Sequence, residues 1–132
     1  MAWLHLILLS ASLYLPGFSV SMAGEFRLDR HTIAKIQESH GEYAWRRVVY
    51  WQNLIQTAGQ LDEMAKIRKV NAFFNELDFI NDSDLWGKTD YWATPLKTLT
   101  SNGGDCEDFS IAKYFTLIEM GIPAERMRLT YV

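Results

Sequence analysis

From Phe109 to Glu119 the polar residues Ser110, Lys113, Thr116 and Glu119 fall at steps of three. This leaves Phe109, Ile111, Ala112, Tyr114, Phe115, Leu117 and Ile118 around most of a helical circumference. A helix so apolar is stable only when other elements surround it, so this segment predicts a helix buried on nearly every side with the rest of the chain packed around it. Gly121 and Pro123 end it, through a left-handed stop and a missing amide donor. Ahead of it, Gly103-Gly104 reads as a tight turn, with Asp105, Glu107 and Asp108 where the helix begins. Behind it, Met127, Leu129 and Tyr131 alternate with Arg128, Thr130 and Val132, the period of a strand. Turn, buried helix and strand in that order point to an α+β domain.

Upstream the period is helical. Ile33 and Ile36 lie in a short amphipathic stretch after Leu28-Asp29 that Gly41 closes. Ala44, Val48, Trp51, Ile55 and Ala58 then share one face, and Gly59 supplies a stop. Leu61, Met64, Ile67, Val70, Phe74 and Leu77 form the stripe of a second helix, whose other face carries Glu63, Lys66, Arg68 and Lys69. Both stripes read as core. From Asp78 to Thr100 the period is lost, and Asn81, Asp82, Ser83, Asp84, Gly87 and Pro95 stand among Trp86, Tyr91 and Trp92. This predicts a long aromatic loop, in which Asp82 and Asp84 belong to a solvated turn. Loops of that length are often functional, although the tryptophans also suit a cap on the core edge.

Composition narrows the classes. The 132 residues carry 13 Lys+Arg and 16 Asp+Glu, a net charge of −3, and no basic run exceeds a pair. This is no footprint for a phosphate backbone, and nucleic acid is not an expected partner. A single cysteine, Cys106, excludes a disulfide framework or a Cys-rich zinc site. No Asp, Glu, Lys or Arg precedes Glu25. The apolar run from Leu4 to Leu15, the break at Pro16-Gly17 and the small residues of Ser21-Met22-Ala23 predict a signal peptide over residues 1–23, with a mature domain over 24–132. An uncleaved membrane anchor is the alternative, since about 20 apolar residues also span a bilayer.

Cys106 falls in the first turn of the buried helix, where unpaired amides and the macrodipole favour a thiolate and so a nucleophile. Asp105, Glu107 and Asp108 oppose this with negative charge, which a bound hard cation such as calcium would offset. The same residues also describe an inert cysteine with acidic helix-capping neighbours.

Several separate motifs occur in order: Val70-Asn71-Ala72-Phe73-Phe74-Asn75, Asp90-Tyr91-Trp92-Ala93-Thr94-Pro95, Gly104-Asp105-Cys106-Glu107-Asp108, Ala112-Lys113-Tyr114-Phe115 and Arg128-Leu129-Thr130-Tyr131-Val132. Together they resemble the bacterial transglutaminase-like cysteine proteinases, and among these the LapG-type periplasmic adhesin proteases, over about residues 26–132. The resemblance implies a papain-like or transglutaminase-like fold with Cys106 as nucleophile. It also implies calcium ligands at Asp105, Glu107 and Asp108, and an indole donor from Trp86 or Trp92 is a candidate for the oxyanion. The implied activity is calcium-dependent cleavage of a large surface adhesin at a pair of alanines near its N-terminus, in the periplasm, which releases cells from biofilm. An inner-membrane receptor for cyclic di-GMP is the implied inhibitor.

In that family the catalytic His and Asp follow the strand matching Met127 to Val132. His5 lies in the apolar leader, and His31 and His40 precede the nucleophile and read as ordinary polar residues. The expectation is the N-terminal part of a protease, truncated before the strands that carry His and Asp. The alternative is a non-catalytic remnant that binds calcium or a partner.

Overall fold

A computed structural model describes residues 27–130. The segment read as a signal or anchor lies outside the described residues, as do Tyr131 and Val132.

Helix α1 (Arg30–Ala58) starts where the Asp29 carboxylate accepts the Thr32 amide at 2.7 Å. It bends at Gly41, whose φ of 84° and ψ of 175° are not helical, so the expected end of a first helix is a hinge between two helical segments. Leu28 N donates to Gln52 Oε1 at 3.1 Å and ties the entry of the chain to the second segment. That segment buries Ala44, Val48, Trp51, Leu54 and Ala58, while Ile55 packs at the edge of the core. Helix α2 (Glu63–Phe74) is capped by Asp62 and buries Val70 and Phe74. Two of its residues depart from the expected stripe. Met64 is exposed, and Lys66 is buried, because its ammonium donates to the Met120 carbonyl at 2.7 Å, where the carbonyls at the end of the following long helix attract a cation.

The expected long loop is largely structured. It holds β1 (Asp78–Phe79), α3 (Asp82–Leu85) and α4 (Pro95–Ser101). Pro95 is not a breaker here: it occupies the first turn of α4, where no amide donor is needed, and Thr94 caps that turn through Lys97 N. Gly103-Gly104 is strand β2 (Gly103–Gly104), not a turn, and pairs in parallel with β1, Asp78 opposite Gly103 and Phe79 opposite Gly104. The residue that turns is Asn102, which ends α4 at φ 61°. Glycine is required in β2 by close approach. A Cβ on Gly103 would lie 2.4 Å from the Asp78 carbonyl oxygen, and one on Gly104 would lie 2.5 Å from Asp108 Oδ2.

Helix α5 (Cys106–Glu119) follows at once and packs against α2 and α4, while α4 packs on α1. Its buried line is Asp108, Ala112, Thr116 and Glu119, so two of the four polar positions, Thr116 and Glu119, face inward, while Ser110 is exposed and Lys113 half-buried. Thr116 explains this: its hydroxyl accepts the Trp51 indole N–H at 2.9 Å and donates to the Ala112 carbonyl at 2.7 Å in the centre of the core. Phe115 is exposed and Ile111, Tyr114 and Ile118 are half-buried, so among the described residues the helix is covered on one side and not all round. A 3₁₀ turn (Ala124–Arg126) leads to residues 127–130, which form no strand here. Met127 has extended dihedrals, but a strand also needs a hydrogen-bonded neighbour, and none lies among the described residues.

Candidate active site and acidic cluster

Cys106 is the first residue of α5 and is exposed. It stands between two depressions. One, of about 350 Å³, is lined by Trp92, Cys106, Glu107, Ser110, Ile111, Leu129 and Thr130. The other, of about 420 Å³, runs along α5 past Phe79, Phe109 and Lys113. An exposed sulfur at a helix N-terminus with concave surface on both sides suits attack on a chain laid across it.

Asp105 precedes the helix but its carboxylate caps no helical amide. Its Oδ1 is buried without a partner, and so are Asp108 Oδ2 and Asp82 Oδ1. Asp108 is fully buried. Its other oxygen accepts the Ala93 amide at 2.6 Å, which fixes the loop before α4 to the first turn of α5. Asp82 is 4% exposed, and its second oxygen accepts the Tyr91 amide. The sequence reading of Asp82 as part of a solvated turn is therefore corrected, whereas Asp84 is exposed as read.

One oxygen each from Asp82, Asp105 and Asp108 lie within 4.8 Å of one another, and the same holds for Asp82, Asp90 and Glu107. The structure thus places Asp105 and Asp108 in one group and Glu107 in the other, with Asp82 common to both and Asp90 beside Glu107. Asp90 opens a motif already singled out. Asp82 carried no signal beyond its place in the polar run Asn81-Asp82-Ser83-Asp84.

Burial pushes the Asp105 carboxyl above its ordinary range, a hydrogen bond from Glu107 works the other way, and the charges of Asp82 and Asp108 add to the rise. Asp108 is raised by burial against the lowering effect of the Ala93 amide. Glu107 is steadied by its own backbone amide but raised overall by desolvation and by Asp105 and Asp82. Partnerless carboxylate oxygens converging in a desolvated place are unstable alone and suit a hard divalent cation, which satisfies them together. By this test the residues fit such an ion.

Trp92 lines the same depression as Cys106 and spends its indole N–H on Asp90 Oδ1 at 3.0 Å. Trp86 does not line it. Its indole nitrogen is buried without a partner, and its ring packs 4.9 Å from that of Tyr91. His31 and His40 sit on exposed positions of α1, and neither lines a depression that holds Cys106. Among the described residues, no helix is long and apolar enough to cross a membrane.

The family model described as bacterial transglutaminase-like cysteine proteinase matches residues 46–132. The calcium-bound structure of Legionella pneumophila LapG is 36% identical, with a TM-score of 0.57, over 70% of this chain and 53% of that one. A second Legionella pneumophila LapG structure and an EGTA-treated one are each 37% identical with TM-scores of 0.56, over 70% of this chain and 53% and 52% of theirs. The chain therefore spans about half the length of the structures it matches. No curated protein matches it.

Proposed function

The chain belongs to the bacterial transglutaminase-like cysteine proteinase family and has its transglutaminase-like fold, and from that premise we propose that it is a calcium-dependent cysteine endopeptidase with Cys106 as nucleophile. The carrying observation is the coincidence at one helix start of an exposed thiol and three partnerless carboxylate oxygens.

In the proposed reaction, Cys106 Sγ attacks the scissile carbonyl carbon, the C–N bond breaks, and the amine leaves with a proton. Water then cleaves the thioester and returns the thiol. The Cys106 backbone amide, one of the unpaired donors at the start of α5, is placed to receive the developing oxyanion. Trp92 is the better second donor of the two tryptophans because it shares the depression with Cys106, once its N–H leaves Asp90. Asp82, Asp105 and Asp108 would hold calcium, and Glu107 and Asp90, which form a second group with Asp82, would be the further candidate ligands. The ion, when bound, would supply the positive charge that offsets these acids beside the thiol. The calcium-bound and EGTA-treated structures of Legionella pneumophila LapG support this choice of ion.

The proposed substrate is a large surface adhesin, cut near its N-terminus at a pair of alanines in the periplasm. Cleavage would release cells from biofilm, and an inner-membrane receptor for cyclic di-GMP would sequester the protease. The resemblance to LapG-type proteases supports these readings.

The test is incubation of an adhesin N-terminal fragment in calcium and in chelator, with the 132-residue chain and with a chain extended by a histidine-bearing strand. General-base assistance is worth a factor of about 10² to 10⁴. The extended chain is expected to cut in calcium and not after Cys106→Ser, and to cut faster than residues 1–132 alone by about that factor. An extended chain that leaves the fragment intact in calcium would overturn the proposal.

A further inference from the structure

The second depression beside Cys106 is lined by Asn75, Leu77, Phe79, Phe109, Ser110 and Lys113 as well as by the cysteine itself. Its floor is one face of α5: Cys106, Ser110 and Lys113 stand at i, i+4 and i+7. Seven residues of helix rise about 10 Å, the length of roughly three residues of extended peptide. Its wall is β1, with Phe79 62% exposed beside the trench. Asp78 N and Ile80 N donate toward β2, to Asn102 O and Gly104 O, both at 2.9 Å. By the alternation of a strand, the amide and carbonyl of Phe79 therefore point to the opposite edge of the ribbon. At the far end the Lys113 ammonium donates to Asn75 Oδ1 at 2.7 Å. Lysine has three donors, so others are left for a ligand.

Resting on Cys106 as the nucleophile, we propose that this trench is a specificity site for the peptide substrate. It receives an apolar side chain against Phe79 and Phe109 at the second residue from the one held at Cys106, and a carboxylate on Lys113 at the third. Phe79 and Lys113 are thus specificity-determining residues. The apolar wall and the single cation at one end select the occupant, because a basic third residue would meet Lys113 with like charge and a glycine second residue would leave Phe79 uncovered.

The test is affinity labelling, which needs only the thiol and no complete proteolytic cycle. Bromoacetyl-Leu-Glu, bromoacetyl-Gly-Glu and bromoacetyl-Leu-Lys amides place the reactive carbon at Cys106 and run the chain in one direction. Chloromethyl ketones of Glu-Leu-Gly, Glu-Gly-Gly and Lys-Leu-Gly run it in the other. Each rate is divided by the iodoacetamide rate of the same protein. In one direction the Leu and Glu reagent is expected to label Cys106 about tenfold faster than its Gly counterpart, as burial of one leucine implies, and faster than its Lys counterpart, whose charge Lys113 repels. Phe79→Ala should abolish the leucine preference, and Lys113→Glu should invert the charge preference. Equal normalised rates in both directions would overturn the proposal while leaving the nucleophile intact. Failure of iodoacetamide itself to label Cys106 would overturn the nucleophile reading and this proposal with it.

Discussion

Asp82 shows what a single position can hide. In sequence it stands in the polar run Asn81-Asp82-Ser83-Asp84, yet the fold turns it inward to 4% exposure beside Asp105 and Asp108. The acids next to Cys106 were legible because they are neighbours in the chain, whereas Asp82 reaches them only through the packing of α3. Asp82→Asn keeps the shape and removes the charge. Calcium bound only to the folded state stabilises it by about 2.7 kcal/mol at a hundredfold excess over Kd, and this variant is expected to lose most of the calcium-induced rise in Tm. A melting curve in calcium and in chelator measures it. Gly104 is the second such position. A Cβ there would meet Asp108 Oδ2 at 2.5 Å and Asp108 Cβ at 2.7 Å, so Gly104→Ala should cost about 1–3 kcal/mol. For a domain of this size each kcal/mol lowers Tm by roughly 4–8 °C, which a thermal scan in chelator will show.

Among the elements, those with long periodic stripes were readable and the short ones were not. Ala44, Val48, Trp51 and Ala58 mark the face of α1, whereas Gly41, which reads as the end of a helix, is a hinge inside it. Helix α4 is seven residues long, too short for a stripe, and its signal was the pair Thr94-Pro95, which also reads as turn chemistry. Ribbon β1–β2 has two residues per strand, and its glycines answer to a neighbour remote in sequence. The all-round apolar pattern of α5 overstated its burial, because Thr116 binds inward to Trp51 while Phe115 faces out. Lys66 joins α2 to the end of α5 through the Met120 carbonyl. Lys66→Met keeps the stem and removes the donor, and should destabilise by about 1–3 kcal/mol, measured by urea unfolding. An unchanged midpoint would mean that water replaces the ammonium without loss.

Across the whole molecule, protons and calcium compete for one cluster. Asp105, Glu107 and Asp108 are all raised above their ordinary values, so the folded state binds protons more tightly than the unfolded chain. In chelator, stability is therefore expected to rise as pH falls through the raised folded values, and to stop rising below the ordinary values of 3.8 for Asp and 4.5 for Glu. In calcium the trend opposes this, because acid expels the ion. Tm measured against pH in the two conditions should show a wide gap at neutral pH that closes on acidification, and a gap independent of pH would contradict the cluster as the binding site.

A nucleophile and a metal site meet at one helix start, and the most direct measurement of that union is the rate at which iodoacetamide alkylates Cys106 at one fixed neutral pH, in calcium and in chelator. Calcium should speed alkylation by offsetting the carboxylates around the sulfur, and Asp82→Asn should remove most of the difference. Equal rates in calcium and chelator for the unsubstituted protein would contradict the account.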